Sequence, residues 1–218
     1  FVLQALTLVV LLAYYRSPTA KALLDRVAEY KTAHGIPFVV ISTVVAGAIL
    51  PEIFLVVFFQ RARVRRQNFR NLLFTTPMWA LDGIIVDLFY RGLAAWLGDE
   101  VSLSVVATKI LVDQFGYNVF IAGPYEVIAY EWKNSGYSFA IIPQCLNLAY
   151  YRNKIVPTLF ATWVVWLPLV AMIYSLPLAL QFPLFSFALT FWVLLLTYMT
   201  NVFAGKNGQP FPAPSIAR

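Results

Sequence analysis

Long apolar runs with almost no charge inside them constrain this chain more than any other feature. A bilayer core is about 30 Å thick and takes about 20 helical residues to cross. Six stretches of the sequence approach or exceed that length, separated by short polar segments. With 61% hydrophobic and 12% charged residues and a mean hydropathy of +0.73, the charged share is about half that of an ordinary soluble domain. A soluble protein of this size cannot cover so much apolar surface, whereas a bilayer can. Strands are excluded because the runs are too long and lack the in/out alternation of a membrane barrel. Backbone groups in hydrocarbon must be paired within their own segment, which leaves helices. The expected fold is therefore all-α, a polytopic membrane bundle of five or six membrane helices with one amphipathic surface helix.

The runs can be placed along the chain. Residues 1–15 are apolar but short, which suits either a span truncated at its start or an interfacial helix. Residues 16–36 carry Leu23, Leu24, Val27 and Tyr30 at helical spacing and read as the amphipathic surface helix. Ser17-Pro18 starts it and Gly35 with Pro37 ends it. Spans are expected over 37–59, 71–97, 101–132 (interrupted at Gly123-Pro124), 155–180 and 182–203, with a mixed loop over 133–154. In domain terms this gives an N-terminal part over 1–36, a bundle over 37–204 and a flexible C-terminal tail over 205–218.

Lysine and arginine counts in short loops set orientation. The 60–70 loop holds Arg61, Arg63, Arg65, Arg66 and Arg70, which are placed to meet lipid headgroups; the next loop holds Asp99 and Glu100, and the one after it Lys133, Arg152 and Lys154. Basic, acidic, basic places the first and third loops and the C-terminus on the cytosolic or matrix side. Arg16, Lys21, Arg26 and Lys31 fall on the opposite side, where a helix lying on headgroups tolerates them. The net charge of +6 is thus spent on topology and anionic lipid, and nucleic acid is not an expected partner.

Ionisable residues at bilayer depth cost about 2.5 kcal/mol or more each, so they mark a role. Glu52, Asp82, Asp87, Arg91, Lys109, Asp113 and Glu126 all lie within apolar segments. Asp87 and Arg91 are four apart, as are Lys109 and Asp113, so each pair shares a helix face; Asp113 also aligns with Tyr117. Either these groups line a polar path or they neutralise one another and fix helix register. Pairing of Glu52 or Asp82 with Lys109 or Arg91 across helices is a further possibility. Trp96 and Trp132 sit at segment ends, where they anchor to the interface, and Trp79, Trp163, Trp166 and Trp192 lie deeper, among the helices. Catalysis is not expected. There is one histidine, His34, in a linker, one cysteine, Cys145, and no Gly-x-Ser-x-Gly, phosphate loop or His-x-x-Glu spacing. Neither a metal nor a cofactor is implied.

Residues 68–203 resemble the Mpv/PMP family of peroxisomal and mitochondrial inner-membrane proteins, which also has bacterial members. Asn68-Phe69-Arg70 is similar to the family's acidic or polar-Phe-x-Arg entry to its second helix. Gly83, Asp87, Phe89, Tyr90 and Leu93 fall on its Gly-Pro-x-x-His-x-Trp-Tyr-x-x-Leu pattern, with Asp87 for His and Phe89 for Trp. Thr108-Lys109 with Asp113-Gln114 resembles the Thr-x-x-Lys-x-x-x-Asp-Gln region. Pro157, Trp163 and Trp166 match part of a Trp-Pro…Trp-x-x-Trp-Pro pattern, and Pro177 and Trp192 keep the late Pro–Trp spacing. The chain departs from the family with Pro51-Glu52 where Gly-Asp is usual, no Asn-Phe at 172–174, and Gln181 for Arg. The resemblance implies a small helical bundle, and some members are described as non-selective pores. A pore of that kind would be lined or braced by Glu52, Asp87, Lys109, Asp113 and Gln114, and the reading of the intramembrane charges and helix faces adds Asp82, Arg91 and Tyr117 as polar-interior candidates. Gly83, Tyr90, Pro157, Trp163, Trp166, Pro177 and Trp192 are the packing positions of the family pattern. The functional expectation is a channel-like or small-solute permeation role in a bacterial cytoplasmic or mitochondrial inner membrane. The other reading is a non-catalytic accessory or lipid-binding subunit, in a complex or a homo-oligomer.

Overall fold

Among the described residues, five helices are long and apolar enough to cross a membrane, and a shorter apolar one precedes them. The structure, a computed structural model, describes residues 2–206. We number the helices α1 (Val2–Arg16), α2 (Pro18–Phe59), α3 (Arg66–Leu97), α4 (Leu103–Asn134), α5 (Leu148–Tyr174) and α6 (Leu178–Lys206). The chain is thus an all-α integral membrane protein in contact with the lipid bilayer.

Local sequence explains where the helices start and stop. The Ser17 side chain accepts a bond from the Ala20 amide, and Pro18 follows in the first turn, where a missing N–H does no harm. Asn147 caps α5 by accepting from Tyr150 N at 2.8 Å, so that helix begins at Leu148, not at 155 as the hydropathy suggested. It ends at Tyr174, and Leu180 N bonds back to the Pro177 carbonyl to start α6. Gly205 and Lys206 belong to α6; the rest of the expected tail lies outside the described residues.

Helix α2 does not stop at Gly35. That glycine takes φ 49°, ψ −124°, a conformation without strain only because it lacks a Cβ, and the chain turns there and resumes as helix. The 18–34 arm, largely exposed, is therefore joined directly to the first span. Helix α1 lies alongside α5: Gln4 Nε2 donates to Val164 O at 3.0 Å and Tyr15 Oη to Ser175 O at 2.6 Å. Both pairs have the same offset, so the two helices run parallel.

Close crossings fix α2 against α3. A methyl group on Gly83 would overlap the Thr43 side chain, and one on Gly47 would overlap the Trp79 ring. Small residues allow this backbone approach, which drives helix association where lipid removes the hydrophobic incentive. Leu169, Ile173, Tyr174, Phe182 and Ala188 fill the core between α5 and α6. Tyr90 packs edge-on against Tyr174 and Phe185, at 5.4 and 6.1 Å between ring centroids.

Candidate functional site

The decisive local feature is a π-helical stretch, Asp113–Ala122, in the middle of α4. Such i→i+5 turns are rare and cluster at functional sites. Here Asp113, Gln114, Tyr117 and Asn118 are all buried along one side of it. They are linked by hydrogen bonds. Asn118 Nδ2 donates to Gln114 Oε1 (3.3 Å), Gln114 Nε2 to Asp113 Oδ1 (3.0 Å), and Tyr174 Oη of α5 to Asp113 Oδ2 (2.6 Å). Trp163 Nε1 donates to the Gln114 carbonyl at 3.0 Å, tying α5 to the same turn. Tyr117 stacks on Phe89 of α3, 4.2 Å between centroids and 15° between planes.

Asp113, Gln114, Tyr117 and Asn118 wall a cavity of about 250 Å³ between α3, α4, α5 and α6. Asp82 of α3 and Glu126 of α4 line it too, so three carboxyl groups share one space. Asp82 is 4% exposed, and among the described residues neither it nor Glu126 makes a hydrogen bond or ion pair. The aromatic wall is formed by Trp79, Tyr90, Tyr117, Trp166, Phe185 and Trp192, with Trp166 and Trp192 meeting edge to face at 6.3 Å. Among the described residues no lysine, arginine or histidine lines the cavity. Thr158 and Ala161 of α5 line it and are exposed, so it reaches the molecular surface on that side.

Four of the residues placed in a polar interior from sequence lie elsewhere. Asp87 is clamped by two cations, Lys31 Nζ at 2.8 Å and Arg91 Nε at 3.0 Å. The expected Asp87–Arg91 pair forms, and the 18–34 arm adds a third member, which takes Asp87 and Arg91 out of the cavity. The expected Lys109–Asp113 pair does not form. Asp113 opens the π-helical stretch, where helical register changes, and Tyr174 and Gln114 occupy its oxygens. Lys109, only 2% exposed, has no ion pair among the described residues. Glu52 accepts from Asn68 Nδ2 at 2.7 Å, while Asn68 Oδ1 accepts from Arg65 N at 2.7 Å, so this acid braces the basic loop.

Of the family-pattern positions, Gly83, Tyr90, Trp163, Trp166 and Trp192 hold helix contacts around the cavity, and Pro177 marks the α5–α6 break. Pro157 does not pack inside. It is exposed, directly after the π turn Tyr151–Ile155, in the region where its missing N–H must be absorbed. Arg61, Arg63, Arg65, Arg66 and Arg70 are all exposed, where lipid headgroups can reach them.

One lining group, Asn118, escaped the sequence reading, and Glu126 was named only among the intramembrane charges. Asn118 stands one turn after Gln114, a spacing that could have signalled it. Glu126 is conspicuous as an intramembrane acid, but only the fold brings it to Asp82, 44 positions earlier. Among the described residues no three histidine, cysteine or acidic groups come close enough to hold a metal ion. No protein-family model matches the chain, and neither does any curated protein or solved structure.

Proposed function

We propose that this membrane protein is channel-like and admits small cations to a permeation path through its polar interior. One observation carries the reading: among the described residues, Asp82 and Glu126 have no hydrogen-bonding or ionic partner and no basic residue lines their cavity. Buried carboxyl groups need a proton or a cation to neutralise them. The six aromatic rings add cation–π surface, and about 250 Å³ holds a compact ammonium ion with water. Among the described residues no three ligating groups stand close enough for a tightly coordinated metal, which favours a monovalent or organic cation. The resemblance to the Mpv/PMP family, some of whose members are described as pores, supports the same reading. On that resemblance we read the chain as a divergent member of the family, in a bacterial cytoplasmic or mitochondrial inner membrane.

Choline is a suitable probe, because its permanent charge prevents passage through lipid as a neutral base. Vesicles containing the purified protein should take up choline faster than protein-free vesicles and discriminate against methanesulfonate, an anion of similar size. Asp82→Asn should reduce choline uptake at least tenfold, and Arg91→Gln should leave it within twofold. Uptake equal to that of empty vesicles would defeat the proposal. A second reading, a non-conducting accessory subunit, draws on the closed Lys31–Asp87–Arg91 and Glu52–Asn68 clusters, which serve only to hold helices together. Absence of uptake together with stable co-purification of another membrane protein would favour it.

A further inference from the structure

We propose that a second cavity, a groove between the first half of α3 and the end of α4, holds one anionic phospholipid. Its headgroup sits on Arg70 and Lys133 and an acyl chain lies along Leu73, Pro77 and Leu81. The groove measures about 820 Å³ and shares no lining residue with the acidic cavity. Its charge is one-sided: Arg70 and Lys133 line it, and no aspartate or glutamate does. Arg70 is exposed and, among the described residues, has no hydrogen bond or ion pair. The Lys133 ammonium is held 5.3 Å from the centre of the Phe74 ring and 5.8 Å from that of Tyr130, also without an ion pair. The carboxylate acting on it, Glu52, is already bonded to Asn68. Two uncommitted cations at one mouth call for an anion.

The shape calls for an amphiphile. From Arg70 to Leu81 the groove follows α3 for 11 residues, about 16 Å at the helical rise, or half of a ~30 Å hydrocarbon core. That is the depth of one leaflet. Both cations lie at the end bearing the exposed Arg61–Arg66 run, together with Trp132 and Tyr137, residue types that favour the headgroup level. At the deep end Tyr125 Oη donates to Met78 O at 3.0 Å and links the two helices. A free phosphate ion would gain nothing from the apolar wall, whereas a lipid of that leaflet fits both ends.

The test is native mass spectrometry of the full chain, delipidated in mild detergent and offered equal phosphatidylglycerol and phosphatidylcholine. One phosphatidylglycerol per chain should be retained in preference. Arg70→Gln with Lys133→Gln should lower that preference by roughly fivefold per cation removed. Arg152→Gln with Lys154→Gln, which removes two exposed charges outside the groove, should leave it within twofold. Arg70→Lys with Lys133→Arg should keep it as well, which covers the case in which the neutral pair fails to fold. Equal retention of the two lipids would overturn the proposal. So would loss of preference in the Arg152/Lys154 variant equal to that in the groove variant, since diffuse surface charge would then suffice.

Discussion

Asp82 and Asp87 lie five residues apart on one helix and have opposite circumstances. Asp87 has two cations within 3.0 Å, while Asp82 has none and looks into a cavity. Their neutral replacements should therefore part company. Asp87→Asn strands Lys31, whose side chain is only 11% exposed, and removing one partner of such a buried pair costs roughly 3 kcal/mol. We expect a clear drop in the unfolding midpoint in detergent with little change in cation uptake. Asp82→Asn should do the reverse, keeping or raising the midpoint, since it removes a buried charge that nothing in the chain offsets, while uptake falls. Similar loss of stability in both variants would show that Asp82 is a structural acid after all. The i,i+4 rule found Asp87 with Arg91 but could not find Lys31, which is 56 positions away and reaches Asp87 only through the turn at Gly35. The same rule mispaired Lys109 with Asp113, because nothing in the local sequence announces that helical register changes at 113.

Among the elements, α3 carries the most information, since one face crosses α2, another lines the cavity and a third borders the lipid groove. Gly83 is the crossing point. A methyl there must displace Thr43, so Gly83→Ala should cost about 1–3 kcal/mol. Gly92→Ala on the same helix meets nothing within 4 Å and should stabilise slightly through helix propensity. Thermal unfolding of the two variants in one detergent checks this; equal midpoints would mean that the α2–α3 contact is looser than described. The helices themselves were legible because apolar length is a bilayer-scale signal that local detail cannot hide. Their joints were less so. Gly35 and Pro37 read as an end, yet a glycine that can take positive φ lets a helix turn and continue. The start of α5 was placed seven residues late because polar Arg152, Asn153 and Lys154 hid a helical turn whose cap, Asn147, was present to be read.

For the whole molecule, orientation follows from the basic, acidic, basic order of the loops. Cys145 is 2% exposed and gives little background to an impermeant maleimide. Single cysteines in place of Val64 and Glu100 should therefore label from opposite faces of the membrane, and labelling of both from one face would refute the topology. The cavity at the centre was half legible. Asp82, Asp113, Gln114 and Tyr117 stood out as polar groups in apolar helices, but their convergence with Glu126 and their separation from the cations among the described residues are products of packing across four helices. That separation is the basis of the functional account, and selectivity tests it most directly. In planar bilayers under a potassium chloride gradient, the reconstituted protein should show a reversal potential on the cation side, and Asp82→Asn with Glu126→Gln should move it toward zero. A conductance with no cation preference, or a preference untouched by removing both acids, would contradict the account.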